Sequence, residues 1–250
     1  DRDDLFAATP PLESKRMLLS RAATFKNGKL TRKLLFIDAK KAHLNPRCQA
    51  DVYIELPEEA GGKPGECGKL DYWLYGFRPA AQAWEEHYSE KLIEAGFKRG
   101  RSCSVIFHHQ FKDISCAVHG DDFTFVGEDE ELKWATELLK SWFEIKVRGI
   151  LGPGLKDDKE VVILGRTVRW KSWGIEWEAD SKHRKLLMER FGYGVNTKSL
   201  NCNGDNATHQ DEEAEEVPLS SSEATEFRSS AARLNFLSQD SPELMHPAKE

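Results

Sequence analysis

Ile114-Ser115-Cys116-Ala117-Val118-His119-Gly120-Asp121-Asp122-Phe123-Thr124-Phe125-Val126-Gly127 sets two strand-prone runs around a Gly-Asp-Asp tip. The pattern predicts a tight β-hairpin that carries adjacent carboxylates at its turn. Both flanks are uncharged, so the hairpin belongs in a core with its acidic tip facing a cleft. Carboxylates that repel each other at such a tip need a cation, and hard oxygen ligands select Mg²⁺ or Mn²⁺. Asp and Gly are also the commonest turn residues, so a solvated turn is the competing reading.

A second acidic strand end lies upstream. Arg32-Lys33-Leu34-Leu35-Phe36-Ile37-Asp38-Ala39-Lys40 is a basic lead-in, a short apolar run and then a lone Asp. The apolar run predicts a buried strand, which leaves Asp38 at the edge of a core. A carboxylate there requires water, a positive partner or a metal. If this strand lies beside the hairpin, Asp38, Asp121 and Asp122 converge. That convergence is what a two-metal phosphoryl-transfer site demands, with ions roughly 3.5–4 Å apart clamping the attacking and leaving oxygens.

Composition bounds the remaining choices. A chain of 250 residues with 39% hydrophobic content holds one large domain, or one domain with an appendage. No run is long and apolar enough to span a bilayer, no signal-peptide pattern opens the chain, and no membrane partner is expected. The five cysteines, Cys48, Cys67, Cys103, Cys116 and Cys202, show no Cys-x-x-Cys spacing. Neither a zinc site nor a disulfide framework is indicated, and reduced thiols in an intracellular compartment are the default. The net charge of −6 is unevenly placed: between Glu13 and Arg47 ten Lys and Arg side chains face only Glu13 and Asp38. Acid collects instead around Asp211, Glu212, Glu213, Glu215 and Glu216. A basic front half suits phosphate contacts, with a solvated helix face as the alternative for any one lysine.

Along the chain, Leu12 to Thr24 has helical spacing and Asn27-Gly28 as a stop. Asp51 to Pro57 alternates as a half-buried strand, and Leu70 to Tyr75 is expected as another. Pro79 opens a helix to about Ala95, ended by Gly96, in which Trp84 is either a core anchor or a base-stacking platform. Cys103 to His109 and Ile114 to Val118 are expected as paired strands. Glu128 to Trp142 reads as an amphipathic helix. Phe143 to Val147, Val161 to Trp170 and Trp173 to Trp177 follow as strands. Trp170, Trp173 and Trp177 offer either packing faces or stacking surfaces for nucleic acid. Ser181 is expected to cap a helix running to Phe191. Residues 193–218 read as an acidic, flexible linker. A last helix, from about Ser221 to Leu237, is expected to bury Phe227, Leu234 and Leu237.

Several blocks together carry a family resemblance. Ile37-Asp38-Ala39-Lys40-Lys41-Ala42-His43-Leu44-Asn45, Val52-Tyr53-Ile54-Glu55-Leu56-Pro57, Leu74-Tyr75-Gly76-Phe77-Arg78-Pro79-Ala80-Ala81-Gln82-Ala83-Trp84 and Val118-His119-Gly120-Asp121-Asp122 occur in that order. They resemble the reverse transcriptase of copia-type retrotransposon polyproteins. Phe6-Ala7-Ala8-Thr9-Pro10, Ile163-Leu164-Gly165, Leu186 to Gly192, Pro218-Leu219 and Phe227 to Ser238 are similar to further segments of that family, the last preceding its ribonuclease H region.

The resemblance implies an α+β, right-hand polymerase: fingers and palm over residues 1–178, with a ferredoxin-like antiparallel palm sheet. A partial thumb would start over 179–192. Beyond the 193–218 linker, residues 219–250 would form a helical segment leading toward a ribonuclease H region. Ribonuclease H and integrase domains, partners in such a polyprotein, have no signature here. The implied activity is RNA-directed DNA synthesis from deoxynucleoside triphosphates on an RNA or DNA template with a primer. The implied location is intracellular, in cytoplasmic virus-like particles or the nucleus. By position, Asp38 and Asp121 would hold Mg²⁺ or Mn²⁺, with Asp122 completing the cluster, and Ala39, His43, Arg78 and Gln82 would meet the substrate.

Some positions depart from the family. His43 stands where it has a Phe gate against a ribose 2′-hydroxyl. Pro79 replaces a Gln, and Gln82 an Arg. Gly120 replaces a Val and is expected to loosen its strand by about 0.5–1 kcal/mol. Two other classes stay open. An RNA-dependent RNA polymerase also carries Gly-Asp-Asp at a hairpin, although the blocks around Tyr75 favour DNA synthesis. A decayed, inactive remnant would bind primer-template without extending it.

Overall fold

The computed structural model describes residues 7–179, 181–194, 196–198, 218–246 and 248–249. Phe6, Cys202 and the acidic run from Asp211 to Glu216 lie outside the described residues, as does the expected linker apart from residues 193, 194, 196–198 and 218. In chain order come α1 (Leu12–Ala22), β1 (Lys33–Ala39), β2 (Tyr53–Glu55), β3 (Cys67–Lys69), α2 (Ala80–Glu94), β4 (Lys98–Arg99), β5 (Ile106–His109), β6 (Ile114–His119) and β7 (Asp122–Gly127). Then follow α3 (Asp129–Trp142), β8 (Ile145–Leu151), β9 (Glu160–Ile163), β10 (Arg166–Lys171), β11 (Gly174–Glu178), α4 (Ser181–Arg190) and α5 (Ser221–Ser238). The chain divides into two compact units, Asp1–Val161 with Trp170–Ile175, and Val162–Arg169 with Glu176–Glu250.

The first unit is built on an antiparallel sheet of order β4-β5-β6-β7-β1-β8. Alternation along the strands sends Leu35, Ile37 and Ala39 of β1, Cys116 and Val118 of β6, and Phe123 and Phe125 of β7 to one face. Trp84, Tyr88 and Leu92 of α2 and Leu132, Ala135 and Leu139 of α3 close over them. Each large side chain so buried contributes about 1.5–3 kcal/mol. Leu34 and Phe36 point the other way and are as fully buried, on the face where α1 crosses β6, β7 and β1 with Leu18, Leu19 and Ala22 inward. Asp38 shares that second face with them.

The β1–β8 ladder is irregular at one place. Phe36 pairs with Gly149 and Ile37 with Val147, so Arg148 has no partner on β1. It is the surplus residue of a β-bulge, a device that re-aims a side chain. A Cβ at Gly149 beside it would lie 2.8 Å from Asp158 Oδ2, which accepts from the Ile150 N–H, so a larger residue there would have to shift that carboxylate.

Some elements depart from the sequence-based expectation. Leu70 to Tyr75 forms no strand: β2 pairs with Cys67–Lys69, and Tyr72 makes only an isolated bridge to Arg47. Gly61 and Gly65, both in the left-handed region, turn the chain back so that the ladder is complete by Lys69. The single strand expected over Val161 to Trp170 is two, broken at Leu164-Gly165 with φ of +48° and +76°, as a two-residue hairpin turn requires. These strands form a sheet of order β11-β10-β9. Trp170 is buried, whereas Trp173 is 72% exposed.

In the second unit α5 starts with a capping box between Ser220 and Glu223. Burial concentrates at its far end, at Leu237, while Phe227 is 64% exposed, contrary to expectation. There Arg166 Nε donates to Asp240 Oδ2 at 2.8 Å, and Trp177 Nε1 donates to Asp240 Oδ1 at 3.0 Å. The Arg166 guanidinium also lies over the Phe236 ring. Among the described residues no helix is long and apolar enough to cross a membrane. Cys48, Cys67, Cys103 and Cys116 are free thiols.

Candidate active site

Only Gly120 and Asp121 separate β6 from β7. Gly120 has φ +62°, the backbone of the first central position of a type II′ hairpin turn. The glycine therefore answers a need of the turn and does not loosen a strand, which corrects the expectation drawn from the missing Val. Two bonds pin the turn: Trp84 Nε1 donates to the Gly120 carbonyl at 2.9 Å, and the Ala39 N–H donates to the Asp121 carbonyl at 2.9 Å. Trp84 is thus a core anchor whose one polar atom braces the acidic tip.

The register places Asp38 directly opposite Asp122 on adjacent strands. Directly opposed side chains sit about 4.5–5.5 Å apart at Cβ, and like charges so placed repel. Asp121, just before Asp122 in the turn, is exposed. From the third strand Arg148 reaches this pair: its guanidinium donates to Asp38 Oδ1 and lies 3.5 Å from Asp122 Oδ1. Both carboxylates are largely shielded, at 18% and 16% side-chain exposure. Burial raises the Asp122 carboxyl above its ordinary range and the charges of Asp121 and Asp38 raise it further, while Arg148 and Lys15 oppose them. The bond to Asp38 raises Arg148 in turn.

Other polar groups border the cluster. Lys15 Nζ of α1 lies 3.4 Å from His119 Nδ1, an arrangement that needs His119 to accept there. Burial lowers the His119 pKa and the Lys15 charge lowers it further, against the Asp121 charge. His43 lies in the one-turn 3₁₀ helix Ala42–Leu44 that follows Lys41 (φ +53°), and its ring packs at a tilt on Tyr75, 4.6 Å between centroids. Its Nδ1 is buried without a hydrogen-bond partner, and burial lowers its pKa against the Asp121 charge.

The expected site residues are thus only partly gathered. Asp38, Asp121 and Asp122 meet at one end of the sheet, with His43 within electrostatic range of Asp121. Ala39 is wholly buried in the core, its N–H already engaged by Asp121. Arg78 lies exposed in the turn before α2. Gln82 turns to Glu86, with Nε2 3.3 Å from Oε1, and lines a separate 650 Å³ cleft with Arg47, Tyr72, Trp73 and His87. Neither Arg78 nor Gln82 is hydrogen-bonded to the carboxylates.

Whether the cluster suits a divalent ion turns on its donors. Three carboxylates supply hard oxygens of the kind Mg²⁺ and Mn²⁺ take. Yet among the described residues no group of three or more His, Cys, Asp or Glu side chains stands ready to hold a metal. The cation between Asp38 and Asp122 is a guanidinium. The donor set therefore fits in kind, and the side chains must turn to use it. Sequence reasoning missed Arg148, because a bulge is a property of pairing and nothing local in Ile145-Lys146-Val147-Arg148-Gly149 announces it.

A family model described as reverse transcriptase (RNA-dependent DNA polymerase) matches residues 1–154. The match takes in α1 to α3, all six strands of the larger sheet and every residue of the acidic end. Mixed α and β structure with antiparallel sheets is what such a domain has.

Proposed function

The chain belongs to the reverse transcriptase (RNA-dependent DNA polymerase) family, and on that premise we propose that it is the polymerase core of a copia-type retrotransposon polyprotein, with its catalytic centre at Asp38, Asp121 and Asp122. RNA-directed DNA polymerase is the family's activity, with a nucleic-acid template and deoxynucleoside triphosphates as substrates. The observation that carries the placement of the site is the register that opposes Asp38 to Asp122 beside the Asp121 turn.

In this reading fingers and palm occupy residues 1–178 and the thumb starts over 179–192. Residues 219–250 lead toward a ribonuclease H region, and the protein works inside the cell, in particles or the nucleus. Asp38 and Asp121, with Asp122, would hold two Mg²⁺ or Mn²⁺ ions. When bound, these supply charge neutralisation at the primer 3′-hydroxyl and at the phosphates of the incoming nucleotide.

The chain's own part is positioning. The Ala39–Asp121 and Trp84–Gly120 bonds fix the turn against β1 and α2, so Asp121 is presented from a rigid base. The tilted His43–Tyr75 ring pair gives a wall near Asp121, suited to crowding a sugar edge. Arg78, exposed ahead of α2, is free to meet phosphate, whereas Gln82 would have to leave Glu86.

Primer extension on an RNA template with Mg²⁺ tests the proposal, wild type against Asp121→Asn, with deoxynucleotides and ribonucleotides in separate arms. Extension by wild type with deoxynucleotides, lost in the variant, is expected. Equal incorporation by both proteins rules out this site. A preference for ribonucleotides moves the chain to RNA synthesis, and salt-sensitive binding of primer-template without any extension marks an inactive remnant.

A further inference from the structure

Arg148 stands out because several independent features meet on it. It is the surplus residue of the only register shift in the β1–β8 ladder, so the backbone departs from regularity where this side chain leaves it. Its guanidinium bonds one member of the opposed acidic pair and lies 3.5 Å from the other. Gly149, next to it, leaves space for the Asp158 side chain, whose Oδ2 would lie 2.8 Å from a Cβ at that position. A guanidinium between two carboxylates offsets the repulsion that their register imposes. A divalent ion entering the same pair needs the same oxygens.

We propose that Arg148 is the resident counter-ion of the acidic end, a built-in competitor that a divalent metal must displace from Asp38 and Asp122 before the site is loaded. The inference rests on the metal-binding reading of Asp38, Asp121 and Asp122. Arg148 holds the pair together while the metal is absent and leaves Asp38 when it arrives. The side chain is 41% exposed, so it has solvent to turn into, and it remains on the strand next to the site when it does. The guanidinium keeps its charge at any physiological pH, so the exchange is governed by metal concentration and not by protonation.

Calorimetric titration of the nucleic-acid-free chain with Mn²⁺ tests this, comparing wild type with Arg148→Gln and Arg148→Lys, and with Asp38→Asn as the site control. Arg148→Gln should bind Mn²⁺ at least about tenfold more tightly than wild type, since a hydrogen bond between charged groups no longer has to be broken. Arg148→Lys, which keeps the charge but loses the fork, should fall between them. Thermal melts guard against misfolding: Arg148→Gln should melt below wild type without metal, and added Mn²⁺ should raise its midpoint more than wild type's. Equal Mn²⁺ affinity in wild type and Arg148→Gln, with Asp38→Asn weaker than both, overturns the counter-ion role and leaves the metal site standing. Affinity unaffected by Asp38→Asn, or no binding by any variant, overturns the metal site and the counter-ion role together.

Discussion

The two ends of β6 carry inverse charge arrangements. Asp113, just before the strand, is one carboxylate shared among three cations: Arg21 bonds its Oδ1, Arg32 Nη2 lies 2.8 Å from its Oδ2, and Lys26 Nζ lies 3.5 Å away. Beyond the other end, Asp121 and Asp122 join Asp38, and Arg148 is shared between two of the three. At the first end, burial pushes the Asp113 carboxyl up, but the Arg32 hydrogen bond and the charges of Arg21, Arg32 and Lys26 outweigh it and hold it below its ordinary value. At the second, burial and like charge hold Asp122 above it. A satisfied cluster is what a scaffold needs. A cluster in which burial and like charge outweigh the neighbouring cations is perturbed in the way that groups at functional sites often are.

Substitutions at the two ends should separate these roles. The largest effect belongs to Asp121→Asn and Asp38→Asn, each expected to lower primer extension by at least about 10²–10³-fold, as loss of a principal electrostatic contributor does. Melting midpoints should be unchanged or slightly raised by Asp121→Asn, because a repelling charge is removed. A large drop in both readouts would mean that the acidic end is structural and would erase the contrast.

Asp113→Ala should do the reverse. It should cost about 1–2 kcal/mol of stability, since Arg21 and Arg32 lose their shared acceptor at a partly exposed position. Extension by the folded protein should stay within about twofold of wild type, as for independent sites. The same carboxyl gives a pH signature. A group held below its ordinary value favours the folded state while ionised. Its contribution is thus complete above the ordinary value of 3.8 and is lost as pH falls through the lowered one. Wild type should lose this increment on acidification and Asp113→Asn should not, in melts followed by circular dichroism.

Trp84→Phe keeps most of the apolar bulk and removes the Nε1–H bond to Gly120. A loss of about 1 kcal/mol is expected, accompanied by a fall in extension rate that Asp113→Ala does not show. The smallest effect marks the floor: Lys140→Ala, which removes an exposed i,i+3 pair with Glu137 on α3, should shift stability by no more than about 0.5 kcal/mol.

Much of the acidic end is legible in the chain itself, and the reasons are local. Uncharged runs around Gly120-Asp121-Asp122 specify a buried hairpin, and Leu34 to Ile37 specify a strand that delivers Asp38 to a core edge. Pairing between β1 and β7 is not local, yet burial of alternate residues on both faces admits few registers, and the observed one opposes Asp38 to Asp122. What escapes notice depends on partners chosen elsewhere in the chain. Cys67-Gly68-Lys69 has no apolar pattern to mark it as the mate of β2. Phe227 has the spacing of a buried position on α5, but burial is set at the opposite end of that helix by the Arg166–Asp240 ion pair. Gly120 resembles a weakened strand until its φ identifies a turn.

The bulge on β8 also bears on how such a strand gains or loses a residue. Because Val147 already faces Ile37 and Gly149 already faces Phe36, excising Arg148 would leave an uninterrupted ladder with each neighbouring pair where it was. The ladder is thus indifferent to this position, and one codon's insertion or removal adds or withdraws a positive arm at the acidic end without changing the pairing of β1 with β8.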